Sequence, residues 1–136
     1  MAETTEFELV SPEKLLVSEP VEMVVVPGTE GDFGALPQHA PMLSTLRPGV
    51  ISIYKDGAVV KTIFVAGGFA EVTETRCTVL AEEAVDLANE SVDAIKARIQ
   101  TADDLLKEAD TAADKAEAEK KMATAQAMLE AKEAAA

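Results

Sequence analysis

The chain has 136 residues, 48% of them apolar, with 25 acidic side chains against 12 basic ones and a formal charge of −13. That length is one ordinary domain or a small domain with an appendage, and the apolar share excludes a wholly disordered chain. The charge argues against nucleic acid as a partner, because phosphate contact needs a basic surface, and against direct binding to an anionic lipid surface. No run of 18 apolar residues occurs, and MAETTEFELV lacks the basic-then-apolar order of a secretory signal. A cytosolic chain, or one delivered after removal of a leader, is expected.

The first half reads as β. Runs at residues 7–10, 14–17 and 21–26 are rich in Val, Leu and Phe, with Pro12 and Pro20 as punctuation. Residues 26–50, VPGTEGDFGALPQHAPMLSTLRPGV, then concentrate eight of the thirteen Gly and Pro residues of the chain. Apolar Phe33, Leu36, Met42, Leu43 and Leu46 are threaded through them. Turn formers and apolar residues together predict very short strands joined by tight turns, the kind of segment that forms a corner of a β domain or a contact surface. Asp56-Gly57 lies between the β-type runs 50–55 and 58–65, a strong hairpin signal, since both central residues of that turn need positive φ. Gly67-Gly68 predicts a break, with residues 69–72 and 76–81 as a further pair. Eight to ten short strands with no intervening helical pattern predict a sandwich or flattened barrel. Cys77, the single cysteine, lies in the apolar run Cys77-Thr78-Val79-Leu80 and reads as a buried core thiol.

Every Gly, Pro and aromatic residue lies at or before Phe69, and residues 88–136 contain sixteen alanines. This shift predicts a β domain over residues 1–87 and a helical domain over 88–136. Ser91 is suited to cap the first helix, with Asp93 in its first turn. Val92, Ile95, Ile99, Ala102, Leu106 and Ala109 form one narrow apolar stripe. A break near Asp110-Thr111 starts a second helix, running to about residue 131, whose stripe of Ala118, Met122, Ala125 and Leu129 is thin. Small alanines let two helices approach closely, so an antiparallel hairpin is expected.

The residues offer no catalytic constellation. His39, the single histidine, has no partner set for a metal, and neither a phosphate-cradling Gly loop nor a Gly-x-Ser-x-Gly turn occurs. A solvated surface accounts for most of the carboxylates. No catalytic, cofactor-binding or metal-binding residue is assigned.

The motif runs Gly28-Thr29-Glu30-Gly31-Asp32-Phe33-Gly34, Pro37-Gln38-His39-Ala40-Pro41 and Pro48-Gly49 strongly resemble the signature region of the ε subunits of F-type ATP synthases, called δ in mitochondria. A second match is Val65-Ala66-Gly67-Gly68-Phe69-Ala70-Glu71-Val72, followed by Thr78-Val79-Leu80-Ala81-Glu82-Glu83-Ala84. The resemblance spans about residues 4–110 and fades over the last twenty-five. It implies a ten-stranded β-sandwich followed by an α-helical hairpin, in a non-catalytic rotor subunit of the central stalk that links the γ subunit to the membrane-embedded ring of c subunits. It implies that Thr29, Glu30, Gly31 and Asp32 face the polar loops of that ring, and that His39, Ala40, Pro41, Met42 and Leu43 lie toward γ. Carboxylates on an exposed turn suit basic or amide groups, and Met42 and Leu43 offer apolar area. For His39 a purely local backbone bond is the competing expectation. Residence on the cytoplasmic face of the bacterial inner membrane, held there by the complex, is implied too.

Two departures from the family pattern bear on function. Gln38 stands where glycine is common, and Ala35 where a larger aliphatic is common. Nucleotide-binding members open the first helix with Ile/Leu-Asp-x-x-Arg-Ala, but here Val92-Asp93-Ala94-Ile95-Lys96-Ala97 stands instead. Lysine lacks the forked donor pair that holds a phosphate, so ATP binding is not expected. In inhibitory members a basic second helix meets acidic segments of the catalytic head, bringing α and β subunits in as partners. Here Lys115, Lys120, Lys121 and Lys132 are outnumbered by Asp114, Glu117, Glu119, Glu130 and Glu133, so weak or absent inhibition is expected. Without the resemblance, the residues alone would also suit a β-sandwich adaptor with a coiled helical tail, a ligand-binding barrel, or, more distantly, a hydrolase using His39.

Overall fold

The structure is a computed structural model that describes residues 3–13 and 15–134. Lys14, expected at the head of the second strand, lies outside the described residues, as do the chain ends of the two expected domains. Backbone contacts divide the chain into Met1–Val85 and Asp86–Ala136.

The first unit contains β1 (Thr5–Val10), β2 (Leu15–Val21), β3 (Met23–Gly28), β4 (Gly31–Ala35), β5 (Met42–Thr45), β6 (Gly49–Lys55) and β7 (Ala58–Val72), with β8 (Arg76–Asp86) closing it. Their order is β2-β1-β8-β7-β6-β3-β4, with β5 pairing β7 off that path. Alternation decides what is inside: Phe7 and Leu9, Val24 and Val26, Ile51 and Ile53, and Cys77 and Val79 face inward at every second position. These residues join Val17, Val21, Val65 and Val72 in one core cluster that every strand except β5 supplies with a fully buried side chain. Burial of each such side chain contributes roughly 1.5–3 kcal/mol.

The expected Asp56-Gly57 hairpin forms. Both residues have positive φ, 55° and 78°, and the turn joins Lys55 to its partner Ala58. Gly67-Gly68, by contrast, does not end a strand. Both lie at positive φ (72° and 97°) inside β7, which pairs with β6 along its first half and with β5 over Phe69–Val72. A side chain at Gly68 would overlap the Leu80 carbonyl, so glycine is required by close backbone approach. The two runs read as separate strands are therefore one distorted strand. Pro20 also fails to terminate its strand. It lies inside β2, an end strand of the sheet order, where a missing N–H on the open side is tolerated.

The second unit is a helical hairpin of α1 (Val92–Glu108) and α2 (Ala112–Ala134), preceded by a short 3₁₀ turn at Leu87–Asn89. Ser91 Oγ accepts the Ala94 N–H at 3.0 Å, the expected cap, and Thr111 Oγ1 accepts the Asp114 N–H at 3.1 Å to start α2. The expected α1 stripe is the inward one, with Ile95 and Ala102 buried and Val92, Ile99, Leu106 and Ala109 half-buried. On α2, Ala118 and Ala125 are buried as expected, but Met128 is the fully buried anchor and Leu129 only half-buried. Near the end of α2, Lys132 Nζ donates to the Leu87 carbonyl at 2.6 Å.

Candidate functional site

The exposed turn at Thr29-Glu30 is built from β3 and β4, whose ends pair as Gly28 with Gly31. A two-residue hairpin loop ordinarily takes positive φ at one or both of its central residues. Neither Thr29 nor Glu30 does so, and Gly31, at φ 134°, takes up the misfit. The turn is held from one side by the end of β5. Thr29 N donates to the Thr45 carbonyl at 3.0 Å, and the two threonine hydroxyls lie 2.9 Å apart. Arg47 binds it a third time: its backbone N donates to Pro27 O at 3.0 Å, Nη1 to Gly28 O at 2.7 Å, and Nη2 to Asp32 Oδ1 at 2.5 Å. Among the described residues Glu30 makes no hydrogen bond or ion pair, whereas Asp32, also exposed, shares one carboxylate oxygen with Arg47. Arg47 is absent from the expected site. One signal could have found it: it is the sole arginine before Arg76, in a stretch carrying two acids.

Residues 36–41 form a second loop. His39 N donates to Leu36 O at 3.1 Å, and Gln38 N donates to Glu74 O at 2.7 Å. Gln38 adopts φ 65°, the conformation that glycine would take without strain, at a cost of about 1 kcal/mol for a side-chain-bearing residue. His39 Nδ1 lies 2.6 Å from the Ala40 carbonyl, so Nδ1 carries the proton and donates it. The local backbone bond weighed for this histidine is present. Ala40 and Pro41 are exposed.

Met42 and Leu43 part company because side chains alternate along β5. Met42 packs against the core, while Leu43 is 68% exposed. Leu43 lies opposite Glu71 and Thr45 opposite Phe69, which is 39% exposed. Leu43, Thr45, Phe69 and Glu71 thus share one outward face, and Thr45 on that face also grips the Thr29 turn. The two groups of expected residues are joined by a single strand. Phe69 was missed, although its alternation with Ala70, Glu71 and Val72 already places it on the outer face with Glu71.

In the hairpin a groove of about 540 Å³ runs between α1 and α2, lined by Ala94, Ala97, Arg98, Glu117, Lys120 and Lys121 among others. Lys121 pairs with Glu117 at 3.7 Å, and Arg98 and Lys120 are engaged as well. Among the described residues no group of three or more His, Cys, Asp or Glu is placed to hold a metal ion, and no helix is long and apolar enough to cross a membrane. Burial pushes the Cys77 thiol up to about 12.

Comparison with known proteins adds the following. Residues 4–87 match the family described as ATP synthase, Delta/Epsilon chain, beta-sandwich domain. The chain is 70% identical to the ATP synthase epsilon chain of Rhodospirillum rubrum over 132 residues, covering 97% of this chain and 98% of that one. It is 56% identical to the ATP synthase epsilon chain of Paramagnetospirillum magneticum over 128 residues, covering 94% and 96%. Two solved structures share the fold. A chain of the Euglena gracilis mitochondrial ATP synthase superposes with a TM-score of 0.77 at 22% identity, covering 97% of this chain and 81% of that one. A chain from the central stalk and c-ring of the Tetrahymena thermophila mitochondrial ATP synthase gives 0.69 at 18% identity, covering 96% and 97%.

Proposed function

Because this chain belongs to the delta/epsilon family of ATP synthase subunits, we propose that it is a non-catalytic rotor subunit of the central stalk, joining γ to the c-ring so that ring rotation reaches the catalytic head. The observation that carries this reading is the continuity of β5. Its Leu43 and the neighbouring Phe69 offer an outward apolar face, and its Thr45 holds the acidic turn. A subunit that passes torque between two partners needs both contact surfaces on one stiff element, and a packed β-sandwich deforms little. In this reading the face with Leu43 and Phe69, beside His39, Ala40 and Pro41, meets γ. The turn from Thr29 to Asp32 meets the polar loops of the ring. Attachment through γ and the ring would hold the chain, peripherally, at the cytoplasmic face of the bacterial inner membrane.

The β-sandwich (1–87) and the hairpin (88–136) act as separate domains in this scheme, the first for coupling and the second for contact with α and β subunits. That second contact is weak. The sequence of α2 carries five acids against four lysines, which gives little attraction to an acidic surface. Lys96 stands where the motif of nucleotide-binding members has its arginine, so the forked donor is missing at that position, although Arg98 follows on α1.

Co-elution with purified γ on gel filtration tests the coupling role. Met42 is unsuitable for substitution, since it packs on the core; Leu43→Asp charges the outward face alone. A stoichiometric complex for the wild-type chain, weakened at least ten-fold by Leu43→Asp, is expected. Failure of the folded wild-type chain to bind γ removes the rotor assignment and leaves a β-sandwich adaptor for some other protein.

A further inference from the structure

We propose that Arg47 is a positioning residue for the ring-facing turn: its guanidinium clamps Gly28 O and Asp32 together and so fixes the direction in which the unpaired Glu30 carboxylate stands. This rests on the reading that the turn meets the c-ring.

Besides the Arg47 backbone N–H on Pro27 O, four contacts from outside the turn converge on its base. Two come from Thr45, through its carbonyl and its hydroxyl. Two come from the Arg47 side chain, with Nη1 on the Gly28 carbonyl at 2.7 Å and Nη2 on Asp32 Oδ1 at 2.5 Å. Arginine is suited to this because its planar fork holds two acceptors at once, which a lysine ammonium on a flexible stem does not do with fixed geometry. The carbonyl that Nη1 caps belongs to Gly28, the last residue of β3 and the pairing partner of Gly31. A side chain on Gly28 would crowd the Gly31 carbonyl, so the backbone beneath the turn is closely packed. The clamp therefore acts at the hinge of the two-residue loop. Asp32 gives one carboxylate oxygen to Arg47 while its side chain stays 57% exposed, and Glu30 stands at the tip with no hydrogen bond or ion pair among the described residues. The matching group on the partner is a cation or amide donor opposite Glu30. The Arg47–Asp32 pair is 42% and 57% exposed, so its role is orientation of the turn and not overall stability.

The test uses the full chain with Arg47→Ala, Asp32→Ala, the double variant, Arg47→Lys and Glu30→Gln. Hydrogen exchange of the Glu30 and Gly31 amides is followed in the isolated protein, and affinity is measured for a purified γ–c-ring complex beside γ alone. Faster exchange at the turn in Arg47→Ala is expected. Binding to γ–c-ring should fall roughly two- to five-fold in Arg47→Ala and in Asp32→Ala, the range an exposed ion pair supports. The double variant should fall no further than either single one, because both remove the same clamp. Arg47→Lys should recover part of the loss, Glu30→Gln should weaken binding and leave Arg47→Ala little further to cost, because the clamp acts through Glu30, and all should bind γ alone as the wild type does. Unchanged exchange in Arg47→Ala, or additive losses for Arg47→Ala and Asp32→Ala, would overturn the positioning role. If Arg47→Ala speeds exchange while Glu30→Gln and the clamp variants all bind γ–c-ring normally, the clamp stands and the placement of the ring contact on this turn is what fails.

Discussion

Single side chains take their chemistry from the strand positions that hold them. Cys77 faces inward on β8 beside Val79, and burial pushes its thiol up to about 12 from an ordinary value of 9.0. In the unfolded chain the thiol ionises near 9, whereas in the folded chain it stays neutral to about 12. Its contribution to stability is thus fully present below pH 9 and is lost as pH rises from 9 toward 12. The slope is at most about 1.4 kcal/mol per pH unit in that window. Denaturant melts at pH 8, 9, 10 and 10.5 should show this fall, and Cys77→Ala, though less stable at pH 8, should show a shallower one. Parallel curves for the two chains would mean that the thiol does not carry the effect. The inward place of Cys77 was legible in its apolar run, because alternation on a short strand is a local property. The split between Met42 and Leu43 was not, since adjacent apolar residues look alike until a partner strand decides which face is core.

At the scale of elements, legibility followed the range of the interactions. The Asp56-Gly57 hairpin, the Ser91 cap and the α1 stripe all depend on residues within four positions of one another, and each stands as the pattern suggests. Gly67-Gly68 looked like a terminator because glycine pairs usually punctuate. Here their positive φ serves the close approach of β7 to Leu80, more than ten residues away in sequence. On α2 the run Met128-Leu129 offered two neighbouring candidates for one inward position, and the hairpin geometry chose Met128. The consequence is measurable. Met128→Ala removes the largest buried side chain of that helix, and most of the other buried positions of the hairpin are alanines that cannot collapse into the gap. A loss of about 2–3 kcal/mol in the protection of α2 amides is expected from hydrogen exchange, with Met122→Ala, half-buried, costing under about 1 kcal/mol. Equal effects from the two would show that the hairpin packs through the thin stripe read from periodicity instead.

For the whole molecule, charge and composition govern what the hairpin does in an assembled enzyme. A helix with a slight acidic excess, attached to a chain of charge −13, is repelled by an acidic surface at long range. Deleting residues 111–136 from the subunit in a reconstituted ATP synthase should therefore change ATP hydrolysis by less than about two-fold, measured by a coupled ATPase assay, a bound set by the weakness of exposed charge contacts. A several-fold rise on deletion would show that α2 inhibits after all, through contacts other than charge.

The sequence by itself determined the division into a Gly- and Pro-punctuated β half and an alanine-rich helical half, the tight hairpin, the helix cap and the family motifs. All of these are properties of composition or of neighbours along the chain, where backbone preference and side-chain period act directly. The tertiary structure decided the rest: that Asp32 is held by Arg47 fifteen positions away, that Thr45 grips Thr29 across sixteen, that Phe69 joins Leu43 on one face, and that β7 runs unbroken through its glycines. Those pairings depend on strand register and on which face is buried, and both are set only when distant segments close on a common core.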